Sequence, residues 1–404
     1  MSTHTKSDSS AAESCTSTVV YEHEPFDTFR LRVLELATGT VWPGSAKDEI
    51  IVERLRGGGF NRIIGIDRIS PETTTRYILR LLGIDRTSPK TRTQYILRIP
   101  RFDSAQIDNE VATLQFLHEH TGIPAPEVVS FDETENNALG SPYSVQKLIP
   151  GADLYSTYPK LSHEERCRVA RELGAICNQM LSVRSNVAGK LVLPTDRKDS
   201  KAPLEVAPLE SKDANLVKPY SQSTPTKTTH ELLTVMFLAR KAYDLELCPD
   251  DEDGGELWDG LSQMTSELDA DGWLTDRHNS IAHLDFAPRN ILANPTPDTQ
   301  LPIISAILDW DSAVLAPAFM SCAPPLWVWA WQDDEDEDER TANDDPPTAN
   351  GRELKKLFEE AAGEDYLRLA YEPTYRLARQ LCGFAINDIR SNESFRAARA
   401  MLKE

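Results

Sequence analysis

The sequence predicts an α+β chain of two lobes, and three observations lead there. Short apolar runs broken by turn residues fill the first third, from "DEIIVERLRGGGFNRIIGI" to "SPYSVQKLIP". Long segments with helical periodicity and capping signals fill most of the remainder. The connector "IPGADL" separates the two regimes and puts the boundary near Ile149 to Asp153.

The elements follow in order. Residues 1–20 are Ser/Thr-rich and read as a disordered tail, and a helical lead-in runs to about Lys47. "DEIIVERLRGGGFNRIIGI" reads as strand, turn, strand. An 18-residue unit, "GIDRISPETTTRYILRLL" (Gly65 to Leu82), is then repeated at once as "GIDRTSPKTRTQYILRIP" (Gly83 to Pro100), with twelve identical positions. Two copies are too few for a solenoid. A tandem duplication of one hairpin-sized unit (65–100) is the simplest account: one copy occupies the sheet, the other is an insertion.

In "DSAQIDNEVATLQFLHEHTGIPAP", Ile107, Val111, Leu114 and Leu117 line one helical face, and Gly122, Pro124 and Pro126 stop the helix. Val128 to Phe131 and Ser141 to Ile149 read as strands. Ser162 and Glu165 form a capping box ahead of a further helix. Residues of about 185–228, rich in Pro, Ser, Thr and Lys, read as a long surface insertion. Helices resume near His230, around Leu257 to Leu268, and from about Arg352 to the end. The small lobe is therefore 21–150 and the large lobe 151–404, with insertions at about 185–228 and 332–350.

Charge and cysteines exclude several classes. The net charge of −21 argues against a nucleic-acid partner and would favour a cationic small molecule. Much of it comes from "QDDEDEDERTANDD" (Gln332 to Asp345), nine acids against one arginine, which reads as a solvated loop. Six scattered cysteines without metal spacing read as reduced thiols of a cytoplasmic protein, several of them in the core. No apolar h-region opens the chain, and no apolar stretch reaches the ~18 residues that a bilayer span needs.

The chemistry sits in two stretches, "HLDFAPRNIL" (His283 to Leu292) and "IISAILDWDSA" (Ile303 to Ala313). The first places Asp285 and Asn290 five residues apart before an apolar strand; the second ends a buried-looking strand on Asp309. Mg2+ takes one or two carboxylates or amides with phosphate oxygens and water. Asn290 and Asp309 can supply that pair, which leaves Asp285 to accept a proton from a nucleophile. An Asp at a strand end can equally be a turn former.

The order Asp, five residues, Asn, strand, Asp is that of kinase-type phosphoryl transfer. "HLDFAPRNIL…AILDWDSAVLAP" resembles the signature of the aminoglycoside phosphotransferase family, small-molecule kinases of protein-kinase-like fold. The resemblance covers roughly residues 50 to 320. It implies ATP and Mg2+ as cofactors, Asp285 as catalytic base, Asn290 and Asp309 as metal ligands, and a small-molecule hydroxyl as acceptor. His283 would hold the loop. It also implies a Gly-rich turn at Gly57, Gly58 and Gly59, a cation on the third strand, an acid on the following helix, and an adenine edge met by the backbone around Gln146 to Leu148.

The cation departs from the usual lysine: both copies of the unit read "YILR". Arg98 lies twelve residues before Glu110, and Glu110 shares its helix's inward face, where an unpaired carboxylate is costly. Arg98 and the second copy are therefore the expected partners of Glu110. "HLD" replaces the family's commoner His-Gly-Asp. No Walker-type P-loop exists, and "DWD" without a following Ala-Pro-Glu segment argues against a protein kinase. The arginine and the duplication leave a second reading open, a kinase-shaped binding module without turnover.

Overall fold

The computed structural model describes residues 24–55, 61–69, 92–101, 107–194, 203–209, 228–247, 252–275, 278–294, 301–332 and 338–404. Among them no helix is long and apolar enough to cross a membrane. The chain divides into two compact units, residues 1–111 with 126–149 and residues 112–125 with 150–404. One cut follows Ile149. A second crossing, inside a helix, puts residues 112–125 with the larger unit.

The first unit opens with helix α1 (Phe26–Leu36), followed by strands β1 (Ile50–Arg54), β2 (Asn61–Ile69) and β3 (Arg92–Pro100). Helix α2 (Ile107–His120) precedes β4 (Val128–Asp132) and β5 (Tyr143–Lys147). The strands form one antiparallel sheet in the order β1-β2-β3-β5-β4. Strand alternation sorts the side chains by face. Val52, Ile64, Ile66, Leu97, Ile99 and Val145 pack with Phe29 and Val33 of α1 into one core. The other face is polar at its centre. Arg98 and Ser144 are cross-strand partners, Gln146 faces the same way, and both Ser144 and Gln146 are buried.

The duplication is resolved by the ladder. β2 takes its last five residues, Gly65–Ile69, from the first copy, while β3 comes wholly from the second. The expectation that a single copy occupies the sheet is corrected: the outer ends of both copies do. The repeated unit spans one strand's end and the next strand's start, so its duplication adds residues only between Ile69 and Arg92. Residues 70–91, with Arg80, the arginine of the first copy's "YILR", lie outside the described residues.

The larger unit continues through β6 (Ala152–Asp153), a single helical turn at Leu154–Thr157, helix α3 (His163–Ser182), β7 (Lys190–Val192) and β8 (Glu205–Ala207). Helices α4 (Thr229–Leu247) and α5 (Glu252–Ala270) lead to β9 (Asn279–Ala282), β10 (Ile291–Ala293), β11 (Ile304–Ile307) and β12 (Val314–Pro317). Helices α6 (Ala349–Ala362), α7 (Glu364–Tyr371), α8 (Pro373–Asn387) and α9 (Asn392–Met401) close the chain. Ser162 and Glu165 cap α3 reciprocally, as their spacing predicts. Gly174 lets α3 lie against α6, because a Cβ there would meet the Phe358 carbonyl oxygen at 2.5 Å.

Two loop readings change. Part of the expected surface insertion is structured: β7 pairs with β8, and Gly189 bridges to Leu315 of β12. The acidic run is more than a solvated loop at its far end. Arg379, 6% exposed, donates from Nε and Nη2 to the Glu339 carboxylate at 3.1 and 2.7 Å. A buried guanidinium needs an anion, and the run supplies one. The four described cysteines, Cys167, Cys177, Cys322 and Cys382, are buried free thiols.

The ladder gives a direct test. Deleting Gly65 to Leu82 joins Ile64 to "GIDRT", which rebuilds the end of β2 and leaves Ser88 to Thr91 to connect it to β3. Loop closure costs about 0.6 kcal/mol per doubling of length, so the shortened protein is expected to be at least as stable in denaturant unfolding. A deletion protein that loses its cooperative transition would show that the copies do not share the sheet in this way.

Candidate active site

Strand pairing places the two chemical stretches side by side. β9 pairs antiparallel with β12 (Ala282↔Val314), and β10 with β11 (Ile291↔Ile307). The loop from β9 to β10 is His283–Asn290, and the loop from β11 to β12 is Leu308–Ala313. Both loops run from one ladder to the other, so they must lie next to each other. β10 also pairs with β6, and Gly151 permits this: at φ 154° a Cβ would meet the Ala293 carbonyl oxygen at 2.7 Å.

A closed ring of hydrogen bonds ties the loops together. His283 Nε2 donates to the Leu308 carbonyl (2.8 Å), and Leu308 N–H donates to the Asn290 carbonyl (2.7 Å). Asn290 Nδ2 donates to both the backbone oxygen and Oδ2 of Asp285, each at 2.9 Å. Asp285 N–H returns to His283 Nδ1 at 3.3 Å. These partners require the neutral imidazole with its proton on Nε2. Burial lowers the His283 pKa and reinforces that form. Trp310, fully buried, meets the imidazole edge-on with centroids 4.5 Å apart. His283 is thus the structural residue that the resemblance implied, with Trp310 as its wall.

The backbone is strained where the ring closes. Among the described residues three non-glycines have positive φ, and two of them are here: Leu284 (62°) and Asp309 (66°). Asp adopts the left-handed region with tolerance; leucine does not. Leu284 stands where the family commonly has Gly, and its side chain packs on Ala282, Val314 and Ala316. The left-handed turn brings Asp285 back over the imidazole.

Arg289 was missed by the sequence reading. Its Nη2 contacts Asp285 Oδ1, one helical turn away in sequence, so Arg289 and Asn290 each hold one carboxylate oxygen. The Asp-x-x-x-Arg spacing was the available signal. Asp309 directly follows Leu308 and opens the short turn Trp310–Ser312. Asp285, Asn290 and Asp309 therefore sit on two loops joined by one backbone tie.

In the first unit, Arg98 Nε lies 3.0 Å from Glu110 Oε1, with side chains 13% and 6% exposed. Ser144 Oγ donates to Glu110 Oε2 at 3.5 Å and accepts from Gln146 Nε2 at 3.3 Å. Ser144, which the sequence reading overlooked, extends the pair into a polar string across the sheet. Gln146 enters that string through its side chain. Leu148 N–H donates to the Gln94 carbonyl at 3.0 Å, and Lys147 N–H to that of Glu127 at 2.9 Å. The Leu148 amide thus completes the ladder to β3 on the segment where the resemblance implies an adenine edge. Gly57, Gly58 and Gly59 lie outside the described residues.

A family model described as the phosphotransferase enzyme family, APH, matches residues 84–354, about two thirds of the chain. The chain belongs to this phosphotransferase family. Its antiparallel five-stranded sheet and helix-rich larger unit give the expected α+β architecture. A curated relative, altered inheritance of mitochondria protein 9, mitochondrial, of Candida tropicalis, is 34% identical over 99 residues, 23% of this chain. The match spans 16% of that relative's length. Solved structures similar to the chain include ADP-bound aminoglycoside phosphotransferase APH(2'')-Ib, at 14% identity and TM-score 0.47, covering 87% of this chain and 92% of that one. The gentamicin complex of APH(2'')-IIa matches at 14% identity and TM-score 0.49, covering 92% and 95%.

The strain at Leu284 predicts an inverted preference. Leu284→Gly should exceed Leu284→Ala in stability by about 1 kcal/mol, since only Gly escapes the left-handed penalty. At ordinary positions Ala exceeds Gly by ~0.5–1 kcal/mol. Chemical denaturation of the two variants measures the difference; the ordinary order would mean that the loop is unstrained at 284.

Proposed function

We propose that this protein is an ATP- and Mg2+-dependent kinase that phosphorylates a hydroxyl of a small molecule. The observation that carries the proposal is the hydrogen-bonded ring that fixes Asp285 and Asn290 on one loop beside Asp309 on the next. A turn-forming Asp needs no such support. Here a buried histidine ties together the two loops that carry Asp285, Asn290 and Asp309, at the cost of two left-handed backbones.

The donor set fits a magnesium ion. Asn290 commits its amide nitrogen to Asp285, which turns its amide oxygen away from that carboxylate; Asp309 adds a carboxylate, and Mg2+ prefers such oxygen ligands. When bound, the ion would neutralise phosphate charge. Asp285 orients the acceptor hydroxyl and takes its proton. Arg289 and Asn290 occupy one lone pair on each of its oxygens, and a carboxylate offers about four such sites. Phosphoryl transfer through a loose transition state needs positioning more than strong base chemistry, so a carboxylate held from both sides suits the role. On the first unit, Arg98, kept in place by Glu110 and Ser144, would supply the phosphate-facing cation. A guanidinium grips phosphate through a fork and needs more room than an ammonium. The net charge of −21 favours a cationic acceptor.

Arg98 also supports the second reading, a binding module that holds nucleotide without turnover. ATP hydrolysis and transfer by the purified protein, followed as Mg2+-dependent ADP release over a panel of small hydroxyl compounds, separates the two. Asp285→Asn should lower turnover by roughly 10²–10⁴ while nucleotide binding persists, the usual scale for loss of a general base. Turnover at the wild-type rate in this variant would remove Asp285 from the mechanism.

A further inference from the structure

A second cluster of chemically active side chains lies where helices α3 and α6 of the larger unit meet, on elements other than the two loops of the candidate active site. His163 opens α3, Cys167 stands one turn later on the same face, and Glu353 comes from α6. His163 Nε2 is 2.9 Å from Glu353 Oε2 and 3.6 Å from Cys167 Sγ. One ligand atom from each residue lies within 4.8 Å of the other two. Nitrogen, sulfur and oxygen donors thus converge around a single imidazole nitrogen.

Neither folding nor the phosphotransfer site explains the convergence. The first turn of α3 is already capped by Ser162 and Glu165, and α3 already meets α6 at Gly174. A His–Glu hydrogen bond alone would not need a thiol facing the same nitrogen. The thiol belongs to a buried residue, while the carboxylate remains over half exposed and open to solvent.

We infer that His163, Cys167 and Glu353 form a site for a zinc-class divalent cation, with water as the fourth ligand. Zn2+ bonds imidazole, thiolate and carboxylate at about 2.0–2.3 Å in tetrahedral array, which sets neighbouring donors roughly 3.3–3.8 Å apart. The His–Cys separation already lies in that range. The His–Glu separation must open by about 0.5 Å, which the exposed Glu353 side chain can provide. The thiolate and imidazole select a zinc-class ion over the Mg2+ of the phosphotransfer site. Binding releases the Cys167 thiol proton to solvent, leaves the imidazole proton on Nδ1, and clips α3 to α6.

The test uses full-length protein stripped with a chelator and titrated with Co2+ as a spectroscopic substitute for zinc. The expected result is one equivalent of tetrahedral Co2+ with a thiolate-to-cobalt charge-transfer band, displaced by Zn2+, and a zinc-dependent rise in Tm. Cys167→Ser should abolish the charge-transfer band. His163→Gln and Glu353→Gln, both at solvent-accessible positions, should weaken Co2+ binding at least tenfold and reduce the Tm rise, which keeps the test open if Cys167→Ser does not fold. A spectrum without a thiolate band, a band that survives Cys167→Ser, or affinity unchanged in both surface variants overturns the site.

Discussion

The backbone of Leu308 is the point on which the candidate active site depends. Its carbonyl accepts a hydrogen bond from His283 Nε2, and its N–H donates to the Asn290 carbonyl. The peptide groups on both sides of the Leu308 Cα are thus held, so Leu308 cannot turn and the residue after it, Asp309, leaves in a fixed direction. The residues that grip it, His283 and Asn290, are also those that hold Asp285. A neutral, buried histidine is the right device here. It offers one donor and one acceptor at opposite edges of a rigid ring, and burial keeps it from taking a second proton. Trp310 closes the apolar side of that ring, and the left-handed Leu284 supplies the turn that brings Asp285 back to Nδ1.

The first unit solves a related problem by other means. Its sheet is apolar toward α1 and polar at the centre of the opposite face, where Arg98, Glu110, Ser144 and Gln146 are linked in series. Burying one member alone would be costly; removing one partner of a buried pair costs about 3–5 kcal/mol. The string therefore behaves as one unit. Arginine in place of lysine adds donors that the string can use, and it reaches Glu110 from the strand that the duplicated segment could have displaced. The duplication leaves the described ladder continuous, from Asn61↔Pro100 to Ile69↔Arg92.

How far the sequence could be read follows from which interactions are local. The Asp285–Asn290 spacing, the Arg98–Glu110 pairing and the Ser162–Glu165 cap are short-range or forced by burial cost, and each could be read from residue types. The five-stranded sheet and the helix-rich second unit could be read too, because alternation and helical periodicity differ. The Leu308 tie could not: it uses backbone atoms, which every residue shares. The hydrogen bond from the Leu148 amide to Gln94 depends on which strand lies beside β5. Glu339 looked like one more acid in a solvated run, because its partner Arg379 lies forty residues on. The β7–β8 pair is three residues per strand, too short to show alternation. Arg289 could have been seen, since a charge one turn from a candidate base is a local pattern.

The central claim is that Asn290 and Asp309, brought together by the Leu308 tie, receive the metal of a metal–nucleotide complex. Electron paramagnetic resonance of Mn2+ titrated into the protein with ATP reads that metal directly, without a known acceptor. The expected result is a bound Mn2+ signal that requires ATP and is lost or weakened at least tenfold in Asn290→Ala and Asp309→Ala. Mn2+ and ATP bound equally well by wild type and both variants would contradict the account.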